Sequence, residues 1–240
     1  RYFKYAIGEI VLVMIGILLA LQVNNWNEIR KLNDQEKYLL KELKSEFSLN
    51  LKNLKETLKI NTENQDAVLG ILELIHQKSI KNNTDKLDSL YAVVFTFSSF
   101  NTTSGVLNEI INSGKLRVIK NDSLRNNLTQ WLGKIDNLEE DITIRREQMM
   151  YQLMPFFSKY APLRNGSIYI NYAHWSKNYK GVKLDKSKFP YDIKALNSRE
   201  FESILFKYLL DQDFVILNDI ELQKNVKLIL KQINQSLIND

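Results

Sequence analysis

Residues 5–28 read YAIGEIVLVMIGILLALQVNNWNE, and the reading of this stretch decides how the rest of the chain is interpreted. From Tyr5 to Val23 only Glu9 and Gln22 interrupt an apolar run. As an α-helix that run is roughly 28 Å long, enough to cross the hydrocarbon core of a bilayer. Leu, Ile and Val cover every face between Ile10 and Leu21, which suits lipid better than a single buried face. The run ends in Leu-Gln-Val-Asn-Asn-Trp without a small-x-small cleavage site, so a transmembrane helix is predicted rather than a signal peptide. Tyr2 and Tyr5 at one end and Trp26 at the other stand where interfacial aromatic belts are expected. The expected anchor spans residues 1–27, with an extramembrane domain over 28–240.

Glu9 needs its own account. Projected along a helix, Glu9, Val13, Gly16 and Ala20 share one stripe, and Gly16 and Ala20 form a small-xxx-small surface that lets helices approach closely. A charged carboxylate facing lipid is costly, so the group faces protein or water, or carries a proton. The leading reading is a transmembrane association seam. Glu9 also lies only about 6 Å inside the boundary, so snorkelling to headgroups is a second reading. An ion or proton pathway of the stator type is the third.

The flanking charges do not settle orientation: Arg1 and Lys4 lie on one side, and Arg30, Lys31 and Lys37 mix with Glu28, Asp34 and Glu36 on the other. The C-terminal VKLILKQINQSLIND is too short and too charged to re-enter a bilayer, so everything after the span is expected on one face. We expect the N-terminus inside and the C-terminal domain outside, in the periplasm. The chain opens on Arg1 without a Met, and residues upstream are expected.

The remaining sequence reads as helical throughout. Leu39, Leu43, Phe47, Leu51, Leu54 and Leu58 follow three- and four-residue spacings, so the span is predicted to continue into an amphipathic helix reaching about His76. A loop at 81–89 follows, with Thr84 or Asp85 capping a second helix over 85–100. A shorter third helix ends with Gly114 as its C′ residue. LRVI at 116–119 is β-capable, and KNDS caps a helix over 123–154 that Pro155 ends or kinks. Residues 162–196 are predicted to form an aromatic-rich loop or small hairpin. Asn197 and Glu200 suggest a capping box for a last helix reaching about Leu237. With 8 Gly, 3 Pro and no Cys in 240 residues, the expected fold is all-α: an N-terminal transmembrane helix continuing into a long-helix antiparallel, four-helix-like bundle.

Few residues invite chemistry. The absence of cysteine excludes disulfides, thiolate catalysis and cysteine zinc sites. His76 and His174 have no metal-ligand spacing, no glycine-rich phosphate loop occurs, and no serine has a nucleophile-elbow setting. Neither a metal nor a cofactor is implied. The formal charge of +5 is spread along the chain, as solvated helix faces are, and no nucleic-acid partner is expected. The most individual stretch is SIYINYAHWSKNYK, residues 167–180. Its Tyr169, Tyr172, His174, Trp175 and Tyr179 could bind a ligand or dock a partner, or could cap the end of the bundle.

Two stretches resemble a known family. YAIGEIVLVMIGILLALQVNNWNE and SGVLNEIINSGKLRVIKNDSLRNNLTQW, residues 104–131, are similar to the two recurring blocks of a family of uncharacterised single-span inner-membrane proteins from flavobacterium-like bacteria. Together they cover about a fifth of the chain. The resemblance implies a domain of unknown function, a basic stretch before the span and an N-in orientation, and it assigns no activity. The expectation is a non-enzymatic bitopic protein whose partners are the bilayer and either further copies of itself or other membrane subunits, acting as scaffold or accessory subunit. A periplasmic sensor or ligand-binding module using 167–180 is the alternative. A pathway through Glu9 ranks below both.

Overall fold

The computed structural model describes residues 2–172, 176 and 178–239, with side chains described at Glu9 and, within those ranges, from Val11 to Ile238. Helix α1 runs unbroken from Tyr2–His76 and is followed by α2 (Thr84–Val94) and α3 (Gly105–Asn112). Then come α4 (Asp122–Gln148), a π-turn at Met149–Leu153, α5 (Met154–Tyr160), the short α6 (Ile193–Leu196) and α7 (Arg199–Asn239). No strand occurs among the described residues, and the chain is an all-α bundle. It forms two compact units, to both of which α1, α4 and α7 contribute.

The first unit comprises residues 1–48, 103–129 and 228–240. The expected apolar positions Leu39, Leu43 and Phe47 are buried, together with Leu107 and Ile110 of α3, Leu124 and Leu128 of α4, and Ile229 and Ile233 of α7. Two acids on α1 cap backbone that has no local partner. Glu46 accepts the N–H groups of Val106 at 2.7 Å and Leu107 at 3.2 Å, in the first turn of α3, where Ser104 makes no side-chain cap bond. A carboxylate there meets the positive end of the helix and satisfies donors that would otherwise be orphaned. Glu36 accepts the Lys120 N–H at 2.6 Å and pairs with Lys120 Nζ at 3.1 Å.

The second unit comprises residues 49–102 and 130–227. One part of its core is aromatic. Phe201 stacks on Phe156 with centroids 4.7 Å apart and meets Phe157 edge-to-face at 5.0 Å. Hydrogen bonds join Asn218 with Asp141, Lys134 with Asn225 and Arg145 with Gln212, so α7 runs antiparallel to α4. Asn61 pairs with Asp219 and Gln65 with Asp213, which sets α7 antiparallel to α1 as well. Helices α1 and α4 therefore run parallel to each other.

Several boundaries depart from the sequence expectation for reasons of tertiary structure. Helix α2 stops at Val94 instead of 100, because Asn64 Nδ2 on α1 donates to the carbonyls of Val93 and Val94 at 3.3 and 2.6 Å. Neither Thr84 nor Asp85 caps α2; both lie within it, and Asn83 precedes it. LRVI is not a strand: Lys115–Val118 form a 3-10 turn entered through Gly114, whose φ of 69° makes it the left-handed residue expected after α3. Asn121 Oδ1 accepts from Leu124 N–H at 3.0 Å, so the KNDS cap is real. Pro155 does not end its helix. The π-turn at Met149–Leu153 precedes it and α5 continues to Tyr160, an arrangement that accommodates a ring without an N–H. Among the described residues of 162–196 no strand forms, so the loop reading holds there rather than the hairpin, with a 3-10 turn at Leu163–Ile168 and α6 at its end. At the start of α7, Ser198 Oγ accepts from Phe201 N–H at 3.2 Å, while Asn197 instead closes α6.

That 3-10 turn is held against α2. Tyr91 OH donates to the carbonyl oxygens of Pro162 and Leu163, 3.2 and 3.3 Å away, and a Cβ on Gly166 would lie 2.5 Å from the Tyr91 ring. Gly166→Ala should therefore destabilise the protein by about 1–3 kcal/mol. Gly133→Ala, at a helical position with open space around it, should stabilise by about 0.5–1 kcal/mol. Denaturant unfolding of the two variants in mild detergent checks both signs.

Candidate functional site

Three places merit a functional reading. The first is the N-terminal part of α1, which includes a window of mean hydropathy 1.2 with none of it buried. It is the one helix among the described residues that is long and apolar enough to cross a membrane. Glu9, Val13, Gly16 and Ala20 are all exposed, and a Cβ built on Gly16 has no atom within 4 Å. The chain thus presents the stripe without covering it. Trp26 is exposed, with the Arg30 guanidinium 5.8 Å from its ring centroid. The side chains of Tyr2 and Tyr5 lie outside the described residues.

The second place is the aromatic segment. Tyr172 and Tyr179 come together edge-to-face with centroids 5.2 Å apart. Tyr169 lines a 140 Å³ pocket with Ile60, Val93, Thr96 and Asn171. His174 and Trp175 lie outside the described residues. His76 is exposed and lines a larger groove of about 650 Å³ with Leu69, Leu72, Phe206 and Leu210. Among the described residues no three His, Asp or Glu side chains gather as a metal site requires.

The third place is a polar layer in the second unit that the sequence reading missed. Arg145 is fully buried, as are Asn61, Asn64, Gln212 and Asp219. Arg145 Nη1 donates to Asn61 Oδ1 at 3.1 Å and to Gln212 Oε1 at 2.9 Å, and its Nη2 donates to the Ser98 carbonyl at 2.9 Å. The guanidinium also lies 4.9 Å from the centroid of the Phe97 ring. Asn61 then passes the contact on, its Nδ2 donating to Asp219 Oδ2 at 2.9 Å. A signal for this layer exists in the sequence. Leu138, Ile142 and Arg145 on α4, with Met149 just after it, keep core spacing, so a cation occupies an apolar register. Asn61 and Asn64 interrupt the apolar spacing of α1 in the same way.

Burial sets the titration of this layer. Desolvation pushes the Asp219 carboxyl from its ordinary 3.8 up to about 6, against the Asn61 hydrogen bond and the Arg145 charge, which both lower it. Desolvation likewise lowers the Arg145 pKa. Because the folded state holds the Asp219 proton more tightly than the unfolded state, this group favours folding most below pH 3.8, and that contribution is lost as pH rises towards 6. Elsewhere in the unit, Tyr191 OH donates to Asp88 at 2.6 Å and accepts from Asn165 Nδ2 at 2.7 Å. Desolvation raises the Asp88 pKa despite these contacts. In the first cluster Arg145 Nε and Asp219 Oδ1 are buried without a hydrogen-bond partner among the described residues, while the remaining polar groups named there bond one another across α1, α4 and α7 and so tie these helices in register.

These features define an all-α protein with an uncovered apolar N-terminal helix and a polar layer in its core. The chain belongs to a family of unknown function (DUF6090), whose pattern matches residues 9–138, just over half of its length. That match takes in most of α1, all of α2 and α3, and the start of α4. No curated protein and no solved structure matches the chain.

Removing one member of the layer should be severe. Arg145→Met is expected to cost about 3–5 kcal/mol of stability by leaving buried polar groups unpaired, and adding Asp219→Leu should recover part of that loss. A double-mutant cycle by denaturant unfolding measures both. In Arg145→Met the Asp219 midpoint should move above 6, because the neighbouring positive charge that lowers it has gone; carboxyl-resolved NMR titration of the variant reads this.

Proposed function

We propose that the chain is a non-enzymatic single-pass protein of the bacterial inner membrane, with its N-terminus cytoplasmic and its helical bundle periplasmic. It serves as a scaffold or accessory subunit of a membrane assembly. The observation that carries this reading is the continuity of α1, whose wholly exposed apolar window leads without a break into a segment buried by the rest of the bundle. Lipid is the solvent that suits the first part, and a folded core suits the second. The small surface of Gly16 and Ala20, with Glu9 on the same stripe, supports association along the span, either with another copy or with a different membrane subunit.

A ligand-binding role for the aromatic segment is the second reading. Its support is the pocket beside Tyr169, although 140 Å³ is small against the 300–1,000 Å³ usual for ligand sites. A pathway through Glu9 would need the carboxyl to ionise and lose protons in the course of function.

Oligomer size in mild detergent tests the seam. The wild-type chain should run as an oligomer, Gly16→Leu should dissociate it, and Leu18→Ala on the opposite side of the helix should leave it intact. A strict monomer that Gly16→Leu does not alter would sink the proposal. Glu9→Gln should retain assembly, since the amide still hydrogen-bonds; loss of function with intact assembly would favour the pathway instead.

A further inference from the structure

A second feature lies beside the point where α1 leaves its apolar run. The 3-10 turn at Lys115–Val118 packs next to α1 and forms with it a groove of about 440 Å³, lined by Ile29, Leu32, Asn33, Arg117, Val118 and Lys120. Ile29 and Leu32 are half exposed there, at 48% and 50%. Arg117 is exposed on the basic rim. Glu36, which contacts Lys120 of this rim, is buried and already takes the Lys120 N–H and ammonium.

Position along α1 fixes what this groove faces. Ile29 follows Trp26 by about 4.5 Å along the helix and Asn33 follows it by roughly 10 Å, and all three fall within about 60° of arc. An interfacial Trp26 therefore places the groove at the polar surface of the same leaflet. Side chains on a helix lean towards its N-terminus, so Ile29 and Leu32 lean back towards the bilayer. An apolar floor continuous with the span, under a rim bearing Arg117 and Lys120, is complementary to a lipid with an anionic headgroup. Glu28 and Asp34 lie on α1 at the same level but do not line the groove.

We propose that this groove binds one anionic phospholipid of the leaflet that α1 leaves, with Arg117 on the phosphate and Ile29, Leu32 and Val118 covering the first acyl carbons. The proposal rests on the reading of α1 as a membrane span and names a specific lipid contact beyond it. Guanidinium matches phosphate geometry through paired donors, and a basic residue near a membrane surface favours anionic over neutral lipid by about fivefold.

The test uses the full chain reconstituted into bilayers of phosphatidylcholine and phosphatidylglycerol in equal amounts, first washed with alkaline carbonate and then released for native mass spectrometry. The expected result is a chain resistant to carbonate that retains one phosphatidylglycerol about fivefold or more in preference to phosphatidylcholine. Arg117→Glu should bring that ratio to about one, with Arg117→Gln intermediate, while Lys183→Glu, the same charge change in the other unit, should leave it unaltered. Equal retention of both lipids by a carbonate-resistant chain overturns the groove proposal and leaves the span intact. Release by carbonate overturns both. Displacement of the retained lipid by millimolar inorganic phosphate would also overturn it, since the site would then be a phosphate site rather than a lipid groove.

Discussion

Four buried polar residues on α1 determine how the rest of the chain can fold. Glu36 and Glu46 in the first unit, and Asn61 and Asn64 in the second, each bond to backbone of the segment between α2 and α4 or at its edges. That segment has little regular structure of its own from Thr96 to Ser104, so its N–H and C=O groups need partners from elsewhere. Within each unit the pairing runs in reverse order: 36 with 120 and 46 with 106 in one, 61 with 98 and 64 with 94 in the other. Within each unit helix α1 is thus a template along which the chain returns. Replacing any of the four with an apolar residue would take a partner from buried or part-buried backbone groups, and where water does not reach them the loss exceeds the bond itself.

The same constraint separates what was legible in the sequence from what was not. The exposed apolar helix, the end of α1 at His76, the Asn121 cap and the left-handed Gly114 were readable because each depends on residues within a few positions. The end of α2 was not, since the group that closes it lies about thirty residues earlier on α1. Nor was the cap of α3, supplied by Glu46. A polar residue in an apolar register was visible at Arg145, but its partners on α1 and α7 could only be found by folding the chain. The aromatic stretch drew attention through its composition. In the structure Tyr169 lines a small pocket and Tyr172 meets Tyr179 edge-to-face, contacts that composition alone does not specify.

The family match gains a physical meaning from this arrangement. Residues 9–138 contain all four template residues and every backbone group they satisfy, and leave out Arg145 and Asp219. The matched portion therefore holds the apolar helix with its template and the returning chain, while Asn61 within it also bonds to Arg145 and Asp219 beyond it. The second half of the chain supplies α7 and the rest of the polar layer. A buried cation held by amides and a distant carboxylate resists sliding of one helix past another, because a shift of one turn would strand it.

The most direct test of this account is residue-by-residue accessibility along α1. The chain contains no cysteine, so single cysteine substitutions can be labelled without background. In intact membrane vesicles, positions 11–23 should resist a charged maleimide at every angle around the helix. From residue 38 onward, protection should follow the helical period, with Leu39, Leu43 and Leu54 shielded and Tyr38 and Leu49 labelled. Labelling of 11–23, or protection there on one face only, would contradict the reading of α1 as a lipid-facing span that becomes the template of a bundle.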